Sequence, residues 1–150
     1  TPVNDAQIPL GNIAPVEGTV FDFREPHKIG ERIDLNDAQL NIGGGYDHNY
    51  VINQSGKSVL TLAAHVEEET SGRILELFTQ EPGLQFYSGN SLNATLSNQG
   101  RIFHPRTGFC LEPQHFPDSL NQPKFPSIIL HPGDEYKSRT IFRFSVRKNK

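Results

Sequence analysis

The sequence predicts an all-β protein, an antiparallel β-sandwich, and three observations carry that prediction. Apolar and polar residues alternate with period two in several short runs. Clusters of Gly, Pro, Asn and Asp separate those runs. No run shows the apolar spacing of a long helix. The 150 residues include 13 Gly and 11 Pro, consistent with frequent turns. The length is that of one ordinary domain, so residues 1–150 are read as a single segment.

Along the chain, the first 35 residues are the least regular and are expected to lie over the surface. The best helix candidate, Asn36 to Leu40, is too short to matter. Tyr46 to Ile52 (YDHNYVI) reads as a strand. Val59 to Glu67 (VLTLAAHVE) places Leu60, Leu62, Ala64 and Val66 on one face and Thr61, Ala63, His65 and Glu67 on the other. EETSG supplies a turn and RILELFTQ a second strand, so the pair predicts a β-hairpin. Leu84 to Tyr87 and Phe109 to Glu112 are shorter strands. Ser127 to Leu130 is another, running into the turn HPGDE. Thr140 to Val146 closes the set, with Phe142, Phe144 and Val146 opposite Arg143 and Ser145.

Bulk properties exclude several functions. A net charge of -3 leaves no electrostatic footprint for nucleic acid, and the basic residues from Arg147 to Lys150 read as a solvated tail. The single Cys110 cannot form an intramolecular disulfide and leans weakly toward a cytoplasmic location. No apolar run approaches the ~18 residues of a membrane span, and no signal peptide is visible. The sequons Asn53-Gln54-Ser55 and Asn93-Ala94-Thr95 carry little weight without a secretion signal. The chain contains no Met, so Thr1 does not read as a translation start.

Three stretches carry candidate chemistry. In GFCLEP, Cys110 and Glu112 point to one side of an extended strand and Phe109 and Leu111 to the other. A partly buried Glu112 at the end of that strand could act as a general base, whereas an ordinary edge-strand Glu would simply face water. In GGGYDHNYVI, Asp47, His48 and Asn49 offer acceptors and donors suited to hydroxyl-rich ligands, or else mark a turn before the strand. In EPGLQFYSGN, Gln85 and Tyr87 share a face, an amide beside an aromatic ring as sugar sites use, or else Gln85 is merely exposed. The glycines of GGGY lack the Lys and helix of a phosphate loop. The six His are scattered, with no metal-binding spacing. No metal and no cofactor is expected.

Together YDHNYV, EPGLQFYSGN and GFCLEPQHFPDSLNQPKFPSIILHPGDEY, leading into TIFRFSV, resemble the aldose 1-epimerase (galactose mutarotase) family. The opening TPVNDAQIPLGNIAPVEGTVFDFREPHKIG resembles the segment that precedes its DHN strand. The similarity runs in order over essentially the whole chain, but to the carboxyl-terminal half of the family's large antiparallel supersandwich. The amino-terminal half, with its Asn-His-x-Tyr-Phe motif and general-acid histidine, has no counterpart here.

The resemblance implies that Glu112 is the general base and that Asp47 and Gln85 bind substrate, with Asn90 a weaker candidate. The Pro-rich segment after Glu112 would shape the site wall. The implied activity is interconversion of α and β anomers of hexoses such as galactose and glucose, with the missing half or a second chain supplying the acid. A non-catalytic carbohydrate-binding protein of the same fold is the alternative.

Overall fold

A computed structural model describes residues 1–94 and 97–147. Thr95 of the second sequon and Lys148 to Lys150 of the basic tail lie outside the described residues. The elements are α1 (Ile29–Arg32), α2 (Ala38–Gly43), β1 (Asp47–Val51), β2 (Thr61–Glu67), β3 (Arg73–Thr79), β4 (Gly83–Tyr87), β5 (Ser97–Asn98), β6 (Arg101–Ile102), β7 (Cys110–Gln114) and β8 (Thr140–Val146). The strands form three-stranded sheets in the orders β1-β4-β7 and β2-β3-β8, plus the small β5-β6 pair. Every strand pair is antiparallel, so the all-β antiparallel expectation holds.

Several local expectations change. The helix at residues 36–40 is a six-residue α2 shifted toward Gly43. The Asp37 carboxylate accepts the Gln39 and Leu40 amides at its start, and Gly44 ends it in the left-handed region at φ 63°. That conformation is open to glycine at little steric cost. The opening segment is not merely a surface cover. Val20, Phe21, Phe23 and Ile29 pack on the core of Ile33, Leu40, Tyr46 and Phe86. Phe23 meets Tyr46 edge-on at 5.1 Å, and Tyr46 stacks on Phe86 at 5.3 Å. The Tyr46 hydroxyl, on a fully buried side chain, donates to Val20 O at 3.1 Å.

The predicted β2–β3 hairpin forms, but β2 bulges between Leu62 and Ala64. The extra residue reverses the alternation. Leu62, opposite Phe78, therefore leaves the face that Ala64 and Val66 share opposite Leu77 and Leu75. Ser127 to Leu130 is not a strand. Pro126 and Pro132 bracket it, and it pairs with no strand among the described residues. On β8 the predicted apolar strip is present and uncovered, with Phe142, Phe144 and Val146 at 49, 75 and 63% exposure.

One buried carboxylate joins distant parts of the chain. Glu81, between β3 and β4, is 5% exposed. It accepts the Tyr136 hydroxyl on one oxygen. Its other oxygen lies 2.9 Å from His115 Nδ1, without the alignment of a hydrogen bond. Burial opposes ionisation, yet bonds from Ser138 and Tyr136 and the nearby His115 hold the carboxyl below its ordinary value. Removing one partner of such a buried group is costly. Glu81→Leu is expected to lower unfolding free energy by about 3 kcal/mol in urea titration, and Tyr136→Phe by about 1 kcal/mol.

Candidate functional site

The β1-β4-β7 sheet has two unlike faces. Residues directly opposite in antiparallel strands project to the same side. The register Asp47↔Tyr87↔Cys110, Asn49↔Gln85↔Glu112 and Val51↔Gly83↔Gln114 therefore sets nine residues in three rows on one face. The other face carries His48, Phe86 and Leu111 in one row and Tyr50, Leu84 and Pro113 in the next, and packs on the aromatic core. Period-two alternation thus separates a polar face from an apolar one on the same three strands.

Asp47, Gln85 and Glu112 stand together on the polar face, one from each strand. Gln85 is central, directly opposite Glu112, and its Nε2 donates to Asp47 Oδ1 at 2.7 Å. Asp47 and Gln85 are partly buried, and Glu112 is exposed. Glu112 is not at the strand end. β7 continues through Pro113 to Gln114, and an edge strand accommodates a proline because one side of it carries no ladder. Cys110 lies two residues from Glu112 on the same face, and burial together with the Glu112 carboxylate pushes its thiol up.

His48 leaves the polar set. It is 5% exposed, and its ring meets Phe21 edge-on at 4.8 Å. Nδ1 accepts the Asp47 amide at 3.1 Å, so the neutral ring carries its proton on Nε2. Asn90 also stands apart from the three rows. Its Nδ2 donates to Gly43 O and Tyr46 O, both at 3.0 Å, and its Oδ1 accepts from Ser88 Oγ at 2.6 Å. Its amide is therefore engaged with the turn leading into β1.

Two further amides complete the polar face: Asn49, already a candidate in the DHN stretch, and Gln114, not singled out from sequence. Asn49 is 3% exposed, and both polar atoms of its amide are without partners; Gln85 Oε1 is likewise buried and unpartnered. Gln114 joins the face because β7 runs two residues beyond Glu112, which the alternation of CLEPQ could have indicated. Phe116 closes one end: a Cβ on Gly83 would lie 3.0 Å from Phe116 Cδ1 and would overlap Asn49 Oδ1. Phe116 packs edge-on against Phe125 at 5.2 Å, and Asp118 accepts the Gln122 amide at 2.9 Å within this segment. The Pro-rich stretch therefore does stand beside the polar face.

A cavity of about 690 Å³ lies elsewhere, lined by Thr19, Val20, Asp22, Arg24 and Arg32 among others; it shares no residue with the three rows. Among the described residues, no three His, Cys, Asp or Glu side chains converge to hold a metal ion. No helix among them is long and apolar enough to cross a membrane.

Fold and site define an antiparallel β protein with two carboxylates and three amides gathered on one sheet face. Comparison with known proteins narrows this. The profile of the aldose 1-epimerase family matches residues 1–143, and the chain belongs to that family. It is 45% identical over 146 residues to the galactose mutarotase of Homo sapiens, covering 97% of this chain and 41% of that protein. It is 37% identical over 145 residues to the aldose 1-epimerase of Escherichia coli, covering 95% and 41%. The solved aldose epimerase homologue from C. elegans superposes with a TM-score of 0.78 at 25% identity, over 97% of this chain and 42% of that one. The galactose 1-epimerase structure from Lactobacillus acidophilus gives 0.73 at 27% identity, over 97% and 40%. The chain thus spans about two-fifths of the length of these relatives.

The core histidine makes a pH prediction. Burial lowers the His48 pKa from 6.5 to about 4, so the folded state favours the neutral ring. As pH falls through 6.5 the unfolded chain takes up the proton first, and stability declines until about pH 4. A shift of that size corresponds to roughly 3 kcal/mol. Urea titrations from pH 7 to pH 4 are expected to show the decline, and His48→Phe to flatten it. The loss due to Glu81 falls in a more acidic window, below the ordinary carboxyl value of 4.5.

Proposed function

We propose that this chain carries the base and sugar-gripping half of an aldose 1-epimerase that exchanges the α and β anomers of hexoses such as galactose and glucose. The observation that supports it most is the row Asn49–Gln85–Glu112 with Asp47 bonded to Gln85. Adjacent strands lie about 4.8 Å apart and each residue rises about 3.4 Å, so Asp47 on β1 and Glu112 on β7, two strands and one row apart, are separated by roughly 12 Å. A hexose ring fits between side chains reaching inward from both sides.

In this reading Asp47 accepts sugar hydroxyls and Gln85 bonds another, fixing the ring. Glu112 takes the proton from the anomeric C1 hydroxyl while an acid protonates the ring oxygen. The C1–ring-oxygen bond breaks as the C1 carbonyl forms. Rotation about C1–C2 presents the other carbonyl face, the ring oxygen adds back, and the two protons return. No electrons are gained or lost, so the reaction calls for no cofactor. The acid would come from outside these residues, from the remainder of the same polypeptide or a second chain. The uncovered strip of Phe142, Phe144 and Val146 on β8 is an apolar surface suited to that remainder.

A positioned general base contributes roughly 10²–10⁴-fold. Glu112→Gln in the intact polypeptide carrying this sequence is therefore expected to lose that factor in polarimetry on freshly dissolved α-glucose or α-galactose, while sugar affinity changes little. An unchanged rate would remove Glu112 from the reaction. Tight sugar binding with no catalysis in the parent would instead make this a sugar-binding protein.

A further inference from the structure

Asn49 is the unexplained polar group of the site face. It is 3% exposed, and neither Nδ2 nor Oδ1 has a hydrogen-bond partner. Buried amides are nearly always satisfied, and leaving one unpaired costs about 1–3 kcal/mol. Directly across the ladder, Gln85 uses Nε2 on Asp47, but its Oε1 is also buried and unpaired. Gly83 supplies the space: a Cβ there would overlap Asn49 Oδ1. Two unpaired acceptors and one unpaired donor group therefore stand on directly opposed residues of the ladder, with Asn49 Oδ1 in the place a Gly83 side chain would take, beside Phe116.

We infer that Asn49 and Gln85 Oε1 form a subsite for a single hydroxyl oxygen, accepting from Asn49 Nδ2–H and donating to Gln85 Oε1 or Asn49 Oδ1. A group that both donates and accepts is needed: a hydroxyl serves the Asn49 donor and one acceptor, a water the donor and both acceptors. A bound water and a hydroxyl of the sugar share that chemistry. Either would hold the Gln85 amide with its Nε2 toward Asp47, so Asn49 acts as a positioning residue for the sugar-gripping pair. This rests on the anomer exchange proposed above.

The test is a double-mutant cycle in the intact polypeptide, using Asn49→Ala, Gln85→Ala and both together. The readouts are kcat/KM on galactose and the Kd of 1,5-anhydrogalactitol, a cyclic analogue that cannot open. Each single variant is expected to lose roughly tenfold, the worth of about one hydrogen bond, and the double variant no more than about either alone. A sugar hydroxyl as ligand predicts that one deoxygalactose is indifferent to Asn49→Ala while the others lose tenfold. A bound water predicts equal loss for every sugar. Losses that multiply independently, or a folded Asn49→Ala with parental kinetics and binding, overturn the inference.

Should Asn49→Ala not fold, Asn49→Ser carries the same comparison. A crystal structure of the parent gives an independent check, expected to show an oxygen within about 3.2 Å of both Asn49 Nδ2 and Gln85 Oε1. A protein side chain in that place would overturn the subsite. The Kd measurement separates this from the catalytic reading: if Glu112→Gln keeps full activity, the coupling of Asn49 to Gln85 in binding still stands or falls alone.

Discussion

Everything at the polar face depends on the ladder register that holds β4 between β1 and β7. Gln85 stands opposite Asn49 on one side and Glu112 on the other. A slip of one residue in either pairing would turn a whole strand over and send a carboxylate or an amide into the aromatic core. The register is enforced from the opposite face. Phe86, on that face of β4, stacks on Tyr46, just before β1, and Leu111 of β7 packs against the same cluster. Apolar packing below thus fixes polar geometry above.

That division explains how much could be read from sequence. Alternation in LQFY and CLEP already placed Gln85 and Tyr87, and Cys110 and Glu112, on common faces. Family resemblance marked Asp47, Gln85 and Glu112. Which strands are neighbours is a tertiary fact. The direct opposition of Gln85 and Glu112, 27 positions apart, becomes visible only in the assembled sheet. His48 looked like a ligand group in DHN, but one-residue alternation sends it to the aromatic side.

The misread elements share a cause. Ser127 to Leu130 has strand composition, but prolines lie on both sides and no strand among the described residues pairs with it. The bulge at Leu62 and Ala64 is a local departure that period-two counting passes over. The opening segment shows little periodicity because its contributions, Val20, Phe21, Phe23 and Ile29, are irregularly spaced side chains packed on a core built largely by later residues. The burial of Asn49 depends on Gly83 and Phe116, residues distant in sequence that close over it.

The ties made by Ser88 and Asn90 have a consequence for motion. Ser88 N donates to Tyr46 O at 2.9 Å, Ser88 Oγ accepts the Tyr46 amide, and Asn90 Nδ2 reaches Gly43 O and Tyr46 O. These bonds staple the ends of two segments separated by some forty residues of intervening chain. Local fluctuations that release one end must release the other, so the two segments breathe as one cooperative unit on the hydrogen-exchange timescale. The start of the strand bearing Asp47 is then as rigid as the far end of the strand bearing Gln85.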